Sequence, residues 1–389
     1  MHGTGLRDLM SKNGPVSSLS AVISIGIGLA IGLVMLFFFN ASYAMYGFGQ
    51  ILTAGFSSTD KFAKVLYQAA PLIMTGLSVG FAFKTGLFNI GASGQYTVGA
   101  FCALVAGIQF QLPWYAAMFC AMIGGAVWGA VPGLCKAYFN VNEVITSIMF
   151  NWIGVFFVNL TLSNMPMMLS DFWGASTRDR TATLGSANPD AIIPKLGLDK
   201  VFDSSYINIS IIIAIIIAVI IWVVLSKTTF GYELKACGHN RNASVYAGIN
   251  AKRNIVLSML IAGALSGIGG GIYYLSGTAQ YTITKTLLPM GFNGIPVALL
   301  ATSNPVGIIF SALFVSYIQV GGDAMQPHFV REIIDIIIAV IIYLSAFSLL
   351  VKTLISKRIK PRKESVQAEA SAGAGIGRQP ANESEGIKR

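Results

Sequence analysis

Ile207–Leu225, INISIIIAIIIAVIIWVVL, carries no charged residue over its whole length. About 20 helical residues cross the roughly 30 Å hydrocarbon core of a bilayer, and only a structure that satisfies its own backbone groups survives there, so this stretch predicts a transmembrane helix. Immediately after it comes Lys227–Asn254, KTTFGYELKACGHNRNASVYAGINAKRN, a polar segment set between two apolar ones. Its place in a chain otherwise built for lipid marks it as a contact for a soluble partner.

Composition extends the reading to the whole chain. Of the 389 residues 54% are hydrophobic and 11% charged, and the mean hydropathy is +0.68; a soluble domain carries about 25% charged residues. The fold class is therefore an all-α polytopic membrane protein. The net charge of +10 is spread over short loops and a C-terminal tail, not along one helical face, which argues for cytoplasmic anchoring and against nucleic acid. Cys102, Cys120, Cys135 and Cys237 lack metal-ligand spacing and read as reduced packing thiols; no metal or cofactor is expected.

The same ruler gives about ten transmembrane segments, near 19–39, 68–84, 88–108, 113–135 and 141–163, then 207–226, 254–276, 286–302, 304–320 and 332–351. The first exceeds the core of a signal peptide and is expected to be retained, despite the Ser42-Tyr43-Ala44 cleavage-like site. Lys136, the cluster Lys227, Lys235, Arg241, Lys252 and Arg253, the tail basics from Lys352 to Lys363, and Arg7 with Lys12 all fall on one side, so both termini are expected in the cytoplasm. Lys61, Lys64, Lys285 and Arg331 fall outside, with Asp60, Glu332 and Asp335 as possible offsets. The expected organisation is a cytoplasmic segment 1–18, a first transmembrane half 19–163, an external loop 164–206, a sixth span 207–226, a cytoplasmic loop 227–253, the rest of the second half 254–351, and a basic, disordered tail 352–389. The external loop either simply connects or packs over a pore mouth and touches a delivery protein.

Five spans on each side of the loop place the halves in opposite orientations, the arithmetic of an inverted repeat. The second segment is short and breaks at Lys84-Thr85-Gly86 before FNIGASGQ, Phe88–Gln95; the eighth is short and is interrupted by PMGFNGIP, Pro289–Pro296. Paired breaks of this kind point to a substrate path, because the freed backbone groups need protein or a wet cavity. Candidate path residues are Phe88, Asn89, Ser93, Gln95, Asn151, Phe292 and Asn293. Ser147 and Asn151, with Glu143, repeat at i, i+4; such residues line a pathway or act as interhelical hydrogen-bond glue, and both readings stand. Gly125, Gly129, Gly133 and Gly263, Gly267, Gly271 recur every fourth residue and predict close helix packing.

Within the cytoplasmic loop, Gly231 is expected to break the chain, Glu233, Leu234, Lys235 and Ala236 to form a helical turn, and Gly238 and Asn240 to supply a bend. Ala243, Ala247 and Gly248 then leave a small-residue ridge suited to insertion into a partner's groove. His239 has no second ligand beside it.

GLFNIGASGQ (Gly86–Gln95), FGYELKACGHNRNASVYAGI (Phe230–Ile249) and GFNGIPVALLATSNPVG (Gly291–Gly307) together resemble the permease subunits of bacterial ABC importers in the branched-chain amino acid, ribose and nucleoside permease superfamily, nearest its nucleoside and simple-sugar branch. The resemblance reaches to about Lys360. It implies that Gly231–Gly248 docks on a separate ABC ATPase, and that a second permease subunit completes a heterodimer in the bacterial cytoplasmic membrane. Two departures are Ser93, where the family usually has Glu, and Thr302-Ser303, where it has a flexible pair with Arg or Lys before Asn-Pro. No G-x-x-x-x-G-K-[ST] segment occurs, so ATP is expected to act on that other subunit and this chain is not expected to be an enzyme. An extracytoplasmic binding protein is expected to deliver the substrate, a nucleoside, with a simple sugar or an amino acid as alternatives. An ion-coupled carrier needs ionisable groups in mid-span, whereas Lys84, Glu143, Asp323 and Asp335 lie near predicted ends.

Overall fold

Helix α1 spans Asn13–Asn40 and is followed by a short amphipathic helix, α2, Ala44–Thr53, that the hydropathy pattern does not announce. The structure, a computed structural model, describes residues 13–346; most of the expected segment 1–18, the end of the tenth span and the whole expected tail 352–389 lie outside them. One compact unit spans Ile25–Phe347. Apart from short helical turns within 164–206, the remaining helices are α3 Thr59–Lys84, α4 Ala92–Leu104, α5 Trp114–Phe139, α6 Glu143–Ser163, α7 Ser210–Lys227, α8 Thr229–His239, α9 Arg241–Tyr246, α10 Ala251–Tyr274, α11 Pro289–Leu300, α12 Pro305–Asp323 and α13 Arg331–Ala346. Among the described residues extended pairing is limited to two isolated bridges, Leu169 with Thr181 and Arg180 with Thr282.

Among the described residues six helices, α3, α5, α6, α7, α10 and α12, are long and apolar enough to cross a membrane; α11 and the Ile25–Asn40 part of α1 are apolar but shorter. The protein is thus a polytopic all-α membrane protein. Of the apolar windows, 89% of α3 and 72% of α10 are buried, against 28% in each of α5, α6 and α7. The first pair forms the centre and the other three the perimeter. Leucine and isoleucine side chains of the perimeter helices point outward, as a lipid-facing surface requires.

Small residues bring the central helices together. A Cβ on Gly125 or Gly129 of α5 would collide with the backbone of Gly263 or Met259 of α10, and one on Gly270 would collide with the Tyr96 carbonyl of α4. The predicted glycine ladders therefore pack backbone to backbone. Packing is reciprocal between the halves: α3 lies against α11 and α12, while α10 lies against α4 and α5.

One boundary differs from the sequence pattern. The second segment is not short, because α3 continues back to Thr59 through charges that end the apolar run. Ser58 Oγ accepts from the Lys61 amide at its start, and Lys64 Nζ pairs with Asp323 of α12 at 2.9 Å. That carboxylate, and none of the three expected ones, offsets Lys64. The short member of the first half is α4, thirteen residues followed by a π turn over Val105–Gln109. It spans about 20 Å, and α11 about 18 Å, at 1.5 Å per residue, so neither crosses a bilayer alone.

The segment 164–206 is pinned down rather than loose. Asn188 Nδ2 donates to Gly107 O (2.8 Å) and Leu112 O (3.1 Å) around the π turn, and Ile193 N donates to Leu275 O (2.9 Å). Thr181 N donates to Tyr281 O at 2.9 Å and Ile283 N to Asp179 O at 2.7 Å, which ties the segment to the α10–α11 connection. Met168, Leu184, Ala191 and Ile193 of this segment are themselves buried.

Candidate functional site

After α3 the chain leaves helical geometry at Gly86, whose φ of +73° favours glycine, and re-enters it at Ala92. The intervening groups are satisfied by side chains. Asn151 of α6 accepts from Gly94 N at 2.8 Å through Oδ1 and donates to Ile90 O at 3.0 Å through Nδ2. It therefore serves α4 as a cap supplied by another helix. Asn89, fully buried, donates to Gln95 Oε1 (2.8 Å) and Ser78 Oγ (3.0 Å), and Gln95 Nε2 donates back to Asn89 Oδ1 at 3.1 Å. This closes an amide pair. Ser147 Oγ, buried beside it, has no partner; a Cβ on Gly91 would lie 3.2 Å from Ser147 Oγ, Asn89 Oδ1 and Gln95 Nε2 alike.

The structure thus brings Asn89, Ser93, Gln95 and Asn151 together, and their amides are already occupied. Phe88 is taken up as well, stacked on Phe83 at 5.1 Å between centroids. Ser78, which completes the lattice, was not legible in sequence, because one serine in an apolar run carries no pattern.

The second Phe-Asn segment is different. PMGFNGIP is not an interruption: it is the first part of α11, begun by Pro289 at its opening turn, where a missing N–H costs nothing. Gly291 presses on the backbone of Ser93, and Ser93 Oγ donates to Leu288 O at 2.9 Å, so α4 and α11 meet end to side. Gly294 presses on Thr75 of α3 in the same way. Phe292 and Asn293, off that glycine face, are half-buried. Among the described residues Asn293 has no hydrogen bond, and it does not join the Asn89 pair.

The polar segment Lys227–Asn254 forms two helices. Thr228 Oγ1 accepts from Gly231 N at 3.1 Å and starts α8; Asn240 Oδ1 accepts from Ala243 N at 3.0 Å and starts α9; Asn250 Oδ1 accepts from Arg253 N at 3.0 Å and starts α10. Gly231 and Gly238 consequently lie inside α8, contrary to the break and bend expected of them. Each is required for close approach instead: a Cβ on Gly231 would strike Val224 O and Leu225, and one on Gly238 would strike Lys84 O. Gly248, at φ +83°, closes α9. Leu234 is buried in the main core and Glu233 accepts from Asn254 Nδ2 at 3.0 Å, so α8 is anchored to the bundle.

Of the expected ridge Ala243, Ala247 and Gly248, all exposed, Ala243 and Ala247 join Ala236 along one surface. With Tyr232, His239 and Ile249 they line a groove of ≈590 Å³ between α8 and α9. Lys235 is half-buried, and Tyr246 beside the groove is 93% exposed. The groove is small-walled and flanked by the exposed Tyr232 and Tyr246.

The family model for the permease component of branched-chain amino acid transport systems matches residues 62–346. This chain belongs to that permease family. Guanosine ABC transporter permease protein NupP of Bacillus subtilis (strain 168) is 36% identical to it over 343 residues, covering 86% of this chain and 95% of NupP. Nucleoside ABC transporter permease protein NupB of Lactococcus lactis subsp. cremoris (strain MG1363) is 35% identical over 346 residues, covering 86% and 92%. A second permease of the same Bacillus strain, guanosine ABC transporter permease protein NupQ, is 27% identical over 264 residues, covering 65% and 79%. No solved structure matches. A permease component is a transport subunit, not an enzyme, and the ATPase is a separate subunit.

Proposed function

We propose that this permease is one of two unlike membrane subunits of an ATP-driven importer that carries a nucleoside, a purine nucleoside in the first instance, into the cell by alternating access. The high identity to permeases named for guanosine and nucleosides supports the substrate class. The presence of a second such permease in the same Bacillus strain supports pairing with an unlike subunit. An ABC ATPase on the cytoplasmic side and an extracytoplasmic binding protein complete the system.

Ten spans in two inverted five-helix halves, with both termini in the cytoplasm of a bacterium, are the topology of this reading. The reciprocal packing of α3 and α10 on the short helices of the opposite half supports it. In this scheme Gly231, Glu233, Leu234, Lys235, Ala236, Gly238, Asn240, Ala243, Ala247 and Gly248 form the ATPase contact, and the Phe88–Gln95 and Phe292–Asn293 segments change exposure between states. The observation that carries the mechanism is the contact of Gly238 with Lys84–Gly86, which joins the cytoplasmic helix directly to the break before α4. A ligand shifts such an equilibrium only by its differential affinity for the two states, so the ATPase must supply the rest.

Uptake of tritiated guanosine by cells co-expressing the whole system tests the proposal. Uptake is expected to cease when the ATPase is inactivated and to survive collapse of ion gradients. Replacing Ala243 and Ala247 with glutamate is expected to abolish co-purification of the ATPase. Gradient-dependent uptake with an inactive ATPase overturns the reading in favour of a secondary carrier.

A further inference from the structure

Six of the chain's fourteen tyrosines, Tyr67, Tyr96, Tyr206, Tyr273, Tyr274 and Tyr281, form one connected group where α3, α4 and the end of α10 meet the 164–206 segment. Ring centroids are 5.8 Å apart for Tyr67–Tyr206, 5.5 Å for Tyr67–Tyr273, 5.0 Å for Tyr273–Tyr274, 5.7 Å for Tyr274–Tyr281 and 6.5 Å for Tyr96–Tyr274. An aromatic belt at a membrane surface faces headgroups. These rings do not: Tyr96 is 1%, Tyr281 2%, Tyr274 4% and Tyr67 7% exposed.

Packing alone does not account for them, since phenylalanine fills the same space without a hydroxyl to satisfy. Tyr67 OH donates to Tyr273 O at 3.3 Å and Tyr281 OH to Asn159 Oδ1 at 3.2 Å. Tyr96 OH has no partner. Among the described residues it is one of four buried side-chain oxygen or nitrogen atoms that lack one. Unsatisfied polar atoms of this kind are costly in a membrane interior and gather where a ligand or water supplies the missing bond. Tyr96 directly follows Gln95 of the amide pair, so the group continues from that lattice toward the external segment.

Resting on the nucleoside reading above, we infer that this tyrosine group is a substrate subsite of the outer half of the path, stacking the flat base of an uncharged nucleoside and offering it the Tyr96 hydroxyl. Partners given to Tyr67 and Tyr281 are a carbonyl, a serine and an amide, all neutral, which suits a ligand without charge. Stacked and edge-on ring geometry receives a planar heterocycle in a way that the aliphatic walls elsewhere in the bundle do not.

Tyr96→Phe and Tyr274→Phe, made in the complete co-expressed complex, test the inference by tritiated guanosine and uridine uptake alongside thermal stability of the purified complex. Tyr96→Phe is expected to raise KM at least fivefold with yield and melting temperature equal to or above wild type, because removing an unpaired buried hydroxyl does not weaken a fold; Tyr274→Phe is expected to raise KM by a similar factor in a complex that still assembles. Both variants transporting within twofold of wild type overturns the inference alone, as does a loss of uptake no larger than the loss of complex. A wild-type complex that imports only free sugars overturns the functional reading and the inference with it.

Discussion

Gly238 and Gly86 meet backbone to backbone: a Cβ on Gly86 would lie 3.2 Å from the Cα and carbonyl oxygen of Gly238, and one on Gly238 would lie 3.0 Å from Gly86 N. One glycine belongs to helix α8 and the other to the turn that precedes the Asn89–Gln95 amide pair. Motion of α8 therefore reaches that turn with no flexible side chain between them. Interiors packed this closely transmit displacement instead of absorbing it.

Gly238→Ala should break that joint. Alanine gains about 1 kcal/mol over glycine in a helix, but the added methyl overlaps Lys84 O, and overpacking costs about 1–3 kcal/mol. The overlap is with backbone, which cannot rotate away, so α8 must lift from Gly86. The expected outcome is an assembled complex whose nucleoside uptake falls at least tenfold while ATP hydrolysis falls less; equal losses in both would point to failed docking instead.

Asn151→Ala removes both bonds that hold the start of α4 and leaves Gly94 N and Ile90 O unpaired in a membrane interior. A buried donor or acceptor left without a partner costs about 1–3 kcal/mol. Asn151→Asp should fare no better, because a carboxylate accepts from Gly94 N yet opposes Ile90 O. Melting temperatures in detergent are expected to fall in both variants, and recovery by Asp would sink the argument.

Alkaline pH should weaken the outer side of the bundle through Tyr281. Burial pushes its phenol up to about 12, above the ordinary value of 10.0. The folded state thus favours the neutral form; that contribution is intact below pH 10 and is lost as pH rises from about 10 to 12. Two pH units correspond to about 3 kcal/mol. Thermal inactivation followed from pH 9 to 12 should be steeper for wild type than for Tyr281→Phe, and parallel curves would remove Tyr281 as a cause.

Periodic and uninterrupted features were legible in the sequence. From Ser210 on, the run Ile207–Leu225 lies in the peripheral helix α7, and the glycines of α5 and α10 pack as their spacing predicts, because hydropathy and four-residue repeats are local properties. Features set by distant partners were not. Lys61 and Lys64 end the apolar run, yet α3 passes through them, since Lys64 finds Asp323 far along the chain. Gly231 and Gly238 read as breaks although Thr228 and Asn240 cap a helix that contains them; glycine signals either a bend or a close contact, and only the neighbour decides. The candidate path was half legible. The first Phe-Asn pair marks a real break, whereas the second, begun by Pro289, is helical from its first turn.

That difference separates two substitutions that the sequence treats alike. Asn89 is fully enclosed, and its amide serves Gln95 and Ser78 at 2.8 and 3.0 Å. Asn89→Ala therefore leaves two buried groups unpaired, and the stability of the complex should fall by about 1–3 kcal/mol. Asn293 is half-buried with no hydrogen bond among the described residues, and α11 is held by its glycine face, not by this side chain. Asn293→Ala should change stability by less than about 0.5 kcal/mol, as substitutions away from buried networks do. If its free amide meets the substrate, the same variant should raise the KM for nucleoside uptake severalfold. Melting temperature and uptake measured side by side decide the point: a stability loss at Asn293 matching that at Asn89 means an unseen structural bond, and unchanged uptake removes Asn293 from the path.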